Sequence, residues 1–300
     1  MSSWACSMAK TAYLRGDTLK ADSGHKKKGI RNESPQDVWA RLRSPVFRLL
    51  LIPLLVYSVW VIEIFLFQGR LPLFLHPEPP GLLFYTVMTC ICVGLVVPIW
   101  LIKQAFLSGD VNMHQLGFRS LRRTVLMTVL TLLIIWMSVV LQNPFGTDRA
   151  AFLVTFLLLL PTGIASALIC CILAGTHLQA LVRSRGVVVA ISAGSIVSGL
   201  LFGMSIAAHI PGGVTVDLLV QSIAAGVLAA VFFFAVRDIW AVSVVMTGSL
   251  VYLMAGWIDP RQFTHQVPAI ALAAAITVAT LIVIQWYLSR RYVTIPAPRG

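Results

Sequence analysis

The chain has 300 residues, of which 58% are hydrophobic and 11% charged, with a mean hydropathy of +0.87. Soluble domains carry roughly a quarter charged residues, so this composition excludes an ordinary water-soluble fold and predicts a multi-pass membrane protein. The formal net charge of +12 is held in a polar N-terminal stretch and in short basic turns between apolar runs, the pattern of a topology signal and not of a nucleic-acid surface.

Residues 1 to 44 form a basic tail with Lys26, Lys27 and Lys28 as its densest charge. No apolar run follows the N-terminus, which argues against a cleavable signal peptide. Ser34 followed by Pro35 predicts a helix start running to Arg43, with the rest of the tail partly disordered. The lysine run is foremost a solvated topology signal, and its sequence also fits contact with anionic lipid.

A hydrocarbon core of about 30 Å needs about 20 apolar residues per helix. By that ruler the remainder divides into about eight spans, at 46–67, 82–106, 124–141, 151–174, 187–209, 216–236, 239–257 and 267–288. This predicts an all-α polytopic transmembrane helix bundle. Lys103, Arg119, Arg122 and Arg123 follow the second span, Arg183 and Arg185 the fourth, Arg237 the sixth, and Arg290, Arg291 and Arg299 the eighth. The alternate turns hold one basic residue each, at Arg70, Arg149 and Arg261. The positive-inside rule then places both termini in the cytoplasm of a cell bounded by this membrane. The weakest boundary is Arg237-Asp238, because so short a turn demands a tight helical hairpin.

Texture divides the chain further. Residues 45–150 hold three helices rich in Leu, Ile, Trp and Phe, which suit a lipid-facing layer. Residues 151–290 hold five helices with small residues four apart: Ser195, Gly199, Gly203 and Ala207; Ser222, Gly226 and Ala230; Ala271, Ala275 and Ala279. Such stripes let helix backbones approach closely where lipid is as apolar as leucine. Residues 291–300 form a short cytoplasmic tail.

Ionisable groups inside the membrane are the first place to seek function. Glu63, near the outer end of the first span, is expected to snorkel or to pair with Arg70. Thr215 is expected to cap the sixth span, with Asp217 in its first turn complementing the helix dipole. Gln221, Ser205, Ser243, Thr247, Ser249 and Gln285 are available for bonds between helices. The histidines do not converge: His177 falls at the cytoplasmic end of the fourth span and His209 at the outer end of the fifth, about 30 Å apart. Neither a metal site nor a cofactor site is therefore expected. No lysine follows Lys103, so a retinal Schiff base is excluded, and no glutamate follows Glu78. Cys90, Cys92, Cys170 and Cys171 lie within apolar runs and read as small hydrophobes, with Cys90 and Cys92 on different helix faces.

One rhythm recurs across residues 161–251. Pro161, the run Ile169 to Gly175, Gln179-Ala180-Leu181, Arg183 to Gly186, Phe202, Gly226, Phe234, Arg237 and Trp240 follow one another in it, and Leu116 to Arg119 precede them. This resembles the CAAX-protease and bacteriocin-processing (CPBP) family of intramembrane metalloproteases. The resemblance implies a five-helix core and a water-activating metal site. At the positions where that family has its paired glutamates and arginine, this chain has Ile169, Cys170 and Ala174. The positions of its later motifs fall on Phe202, Met246 and Leu250. Proton transfer and metal ligation need carboxylate and imidazole, and these positions are apolar.

The leading expectation is a non-catalytic relative with a binding or scaffolding role in the plasma membrane. Its partners would be the bilayer and a membrane protein or lipidated peptide, not nucleic acid. One alternative is an active CAAX-type metalloendopeptidase with a non-standard site, for which His177 and Cys170 or Cys171 are the candidates. Another is a small transporter or channel using Glu63.

Overall fold

A computed structural model describes residues 47–70, 73, 78–107, 116–142, 149–210, 213–258, 263 and 265–292. Lys26, Lys27, Lys28, the segment 34–43, His25, His76 and His114 lie outside them. The described residues are helical, with no strand among them. Eight helices follow in order: α1 Leu49–Arg70, α2 Pro79–Gln104, α3 Leu121–Gln142, α4 Arg149–Arg185, α5 Val187–His209, α6 Val216–Val236, α7 Ile239–Met254 and α8 Val267–Tyr292. Among the described residues, all but α7 are long and apolar enough to cross a bilayer, which makes the protein a polytopic membrane bundle.

Two helices depart from the lengths expected from hydropathy. The seventh span, expected to reach residue 257, ends at Met254, where the amides of Trp257 and Ile258 both donate to the Met254 carbonyl, at 2.9 and 3.1 Å. Its 16 residues rise about 24 Å, less than the hydrocarbon core. Protein covers most of it: Ala241, Val242, Ser243, Met246, Thr247 and Leu250 are all buried. The fourth span, expected to stop at residue 174, runs on to Arg185 in a continuous helix of 37 residues. Ala167–Gly175 within it winds as a π-helix, and every residue from Pro161 to His177 is buried. This helix is the axis of the bundle, with 89% of its apolar window buried against 11% for α3.

The small-residue stripes of α5 and α6 meet each other. A Cβ on Gly199 would lie 2.3 Å from Val227 Cγ2, one on Gly203 2.3 Å from Ile223 Cγ1, and one on Gly226 2.9 Å from the Gly199 Cα. Only hydrogen fits at these crossings. Ser195 and Ser222 are buried in the same seam, whereas Ala207 is exposed. The α8 stripe does not pack: Ala271, Ala275 and Ala279 are exposed, and Ala273, Ala274, Thr277 and Leu281 are the buried face.

The two ends of the bundle are chemically distinct. At one end Arg237 Nη2 donates to Gln179 Oε1 at 2.7 Å, Arg119 Nε to the Arg237 carbonyl at 3.2 Å, and Arg123 Nη2 to the Val236 carbonyl at 3.1 Å. Gln285 Nε2 donates to the Arg119 carbonyl at 3.3 Å, and Trp240 Nε1 to Gln285 Oε1. The basic turns after α2, α4 and α6 and the last turns of α8 thus share one end. At the other end Gly69 abuts the Ala208 carbonyl, and Trp136 packs edge-on against Phe152 at 5.9 Å.

The tight hairpin expected at Arg237-Asp238 is made by two devices. Arg237 adopts the left-handed conformation, φ 53° and ψ 52°, with its guanidinium stacked over Phe234 at 4.8 Å and Phe233 at 5.5 Å. Asp238 then caps α7, its Oδ1 accepting from the amides of Trp240 and Ala241, both at 3.1 Å. Burial, followed by the like charge of Arg119, pulls the Arg237 guanidinium down to about 10, which leaves it charged at neutral pH.

Candidate functional site

The six positions singled out by the sequence resemblance all lie within the hydrophobic core of the bundle. Ile169, Cys170 and Ala174 lie on the π-helical stretch of α4, Phe202 on α5, and Met246 and Leu250 on α7. All six belong to one contiguous hydrophobic cluster. Five are 0% exposed and Ala174 is 6% exposed.

Backbone closeness explains the tight seam. A Cβ on Gly175 would lie 2.4 Å from Ser198 Oγ, and one on Gly163 would overlap the Thr247 side chain. Ser198 Oγ is 2.8 Å from the carbonyls of both Cys170 and Gly194, so the single hydroxyl proton is shared between α4 and α5. Among the described residues, no group of three or more His, Cys, Asp or Glu is placed to hold a metal.

His177 lies two residues past the π-helical stretch, 3% exposed, in the same helical turn as Gln179, which accepts from Arg237. His209 is buried with Nδ1 2.7 Å from the Ser205 carbonyl of its own helix. His265 is exposed. Cys90 is buried and Cys92 exposed, on different faces of α2 as their spacing requires.

Glu63 does not pair with Arg70. Arg70 is exposed, while Glu63 faces Thr89 and lies near Tyr85 and Cys90 of α2. Behind them the Tyr85 and Thr162 hydroxyls are 3.1 Å apart, and Cys90 Sγ is 3.8 Å from the same threonine oxygen. A polar strip therefore runs from α1 through α2 to α4. Along it and toward the C-terminus of α5, several buried atoms have no hydrogen-bond partner: Trp60 Nε1, Glu63 Oε2, both polar atoms of the Gln68 side chain and His209 Nε2. Each such atom costs about 1–3 kcal/mol, more in lipid where water is scarce.

Of the polar residues expected to bond between helices, Gln285 does so. Ser205, Ser243, Thr247 and Gln221 instead bond within their own helices, to Phe202, Ile239, Ser243 and Asp217. Thr215 caps α6 as expected, its hydroxyl accepting from the Leu218 amide at 3.3 Å. Sequence reasoning missed several bonds between helices, those of Tyr57, Ser198 and Thr124 and the Tyr85–Thr162 pair among them. Tyr57 donates to the Leu201 carbonyl at 2.6 Å and Thr124 to Asp238 at 2.8 Å. Nothing in their local sequence marks them, because each partner is remote in the chain.

No protein-family model, curated protein or solved structure matches this chain.

Proposed function

We propose that this polytopic membrane protein is non-catalytic, with a CPBP-like core used for binding or scaffolding a membrane protein or lipidated peptide. The observation that carries this reading is the closed seam. Ile169, Cys170, Phe202, Met246 and Leu250 are all 0% exposed, so the place where a metal-bound water would stand is occupied by side chains. The gathering of the arginine-bearing turns at one end supports eight crossings, α7 included, with both termini in the cytoplasm.

The test is a cleavage assay on purified protein with prenylated and bacteriocin-like peptides and added zinc. Product at background level is the expected result. Metal-dependent cleavage that disappears in His177→Ala would overturn the reading and favour the peptidase alternative.

A second reading is favoured by a separate observation, the unpartnered polar atoms around Glu63. Ionisable residues inside a membrane commonly mark ion or proton pathways, and Glu63 is one. In this reading the protein is a small transporter or channel, with Glu63 as its proton carrier. Reconstituted vesicles carrying a pH-sensitive dye decide it: proton flux that vanishes in Glu63→Gln supports this reading, and no flux in the wild type removes it.

A further inference from the structure

A concavity, separate from the closed seam and from the Glu63 strip, lies at the basic end of the bundle. It has a volume of about 600 Å³ and is walled by α3 and α8, with Trp240 of α7 contributing to its lining. Its two depths differ in chemistry. At the polar end stand Arg119 and Gln285, held to each other through the Arg119 carbonyl, with Trp240 and Trp286 beside them. Deeper, Val125, Thr128 and Val129 of α3 line the wall with Ile282 of α8, and the groove as a whole presents mostly apolar surface. From Leu121 to Val129 the wall descends about 12 Å along α3.

Charge around the mouth is one-sided. Arg122 and Arg123, exposed on the first turn of α3, flank residues that line the groove. Arg237 stands behind Arg119, whose Nε is bonded to its carbonyl. Among the described residues the one carboxylate here, Asp238, is 0% exposed, and both its oxygens are engaged, by Thr124 and by the amides of Trp240 and Ala241. Among the described residues, four arginines therefore gather at this end of the bundle against one carboxylate that is already engaged. The outer surface of α3 is open, since 11% of its apolar window is buried.

We propose that this groove holds an anionic phospholipid of the surrounding bilayer, its phosphate at Arg119 and Arg122 and an acyl chain along Val125 and Val129. Basic pockets between transmembrane helices suit anionic headgroups, and tryptophans sit at headgroup depth. The apolar depth of the groove favours a lipid over a free phosphate, which would occupy only its mouth. An uncharged lipid would leave the arginine mouth without a counter-charge.

The test uses the full chain in nanodiscs of equimolar dioleoyl phosphatidylglycerol and dioleoyl phosphatidylcholine, with retained lipid identified by native mass spectrometry after gentle detergent release. The two lipids share acyl chains, so any preference reads the headgroup. Retention of the glycerol lipid over the choline lipid is expected, and Arg122→Gln should reduce that preference about fivefold, the effect of about 1 kcal/mol per basic residue near the surface. Val129→Trp, which fills the groove without touching the charges, should lower retention of both lipids, while Ala207→Trp on a distant exposed face should lower neither. Val125→Trp provides an independent block should the first variant fold poorly. Equal retention of the two lipids, unchanged retention in both groove-filling variants, or displacement of the lipid by inorganic phosphate at constant ionic strength would overturn the proposal.

Discussion

Thr124 donates its hydroxyl to Asp238 Oδ2 at 2.8 Å, across 114 residues of chain. The other oxygen of the same carboxylate caps α7, so one side chain both starts a helix and fastens α3, the least buried of the long helices, to the turn between α6 and α7. Its neighbour Arg237 holds the end of α4 through Gln179, which brings four elements to one point.

Removing that carboxylate should therefore be costly. Asp238→Ala loses a cap, typically about 1 kcal/mol, and strands the buried Thr124 hydroxyl at about 1–3 kcal/mol more. A total loss of about 2–4 kcal/mol is expected in reversible unfolding of the purified protein. Asp238→Asn keeps an acceptor for the α7 amides and should cost distinctly less. Equal, negligible effects of both variants would remove the turn from its proposed structural role.

The α5–α6 crossing gives a second expectation. Gly199→Ala places a methyl 2.3 Å from Val227 Cγ2 and 2.6 Å from the Val227 backbone nitrogen. The helices must separate, at about 1–3 kcal/mol by analogy with overpacked cores. Ala207→Leu, on an exposed position of the same helix, should leave the thermal midpoint in detergent unchanged. A Gly199→Ala protein as stable as the wild type would show that the seam is looser than its geometry requires.

How much of this was legible in the sequence depends on how far away the deciding contact lies. Hydropathy placed the long helices because lipid itself is their solvent, and Thr215 was readable as a cap because its partner is three residues on. The stripe from Ser195 to Gly203 was readable because glycine has few uses in a helix other than close approach. The alanine stripe of α8 misled, since alanine fits a lipid-facing surface as well as a packed one, and only the neighbours of α8 select Ala273 and Ala274 as the inner face. The same reason defeats Glu63. Arg70 is its sequence neighbour, but the helix fold turns Glu63 toward Thr89 of α2. The length of α7 was overestimated because Ala255, Gly256 and Trp257 are apolar enough to extend a span, yet they form the turn that ends it.

Orientation is tested by single cysteines in a chain whose own cysteines are replaced. Ser184→Cys lies at the arginine-bearing end and His265→Cys beyond the opposite end of α7; both native positions are exposed. In intact cells a membrane-impermeant maleimide should label His265→Cys at once and Ser184→Cys only after the membrane is opened. Labelling of Ser184→Cys from outside would invert the orientation.

Cys170 stands inside the closed seam with 0% exposure. The direct measurement is the reaction of Cys170 with a small, water-soluble methanethiosulfonate reagent, in a variant with Cys6, Cys90, Cys92 and Cys171 replaced by alanine. No modification of the folded protein is expected, followed by full modification on denaturation, with Ser184→Cys in the same background as the reactive reference. Modification of folded Cys170 at a rate approaching that reference would contradict a closed seam, since it requires water among these side chains.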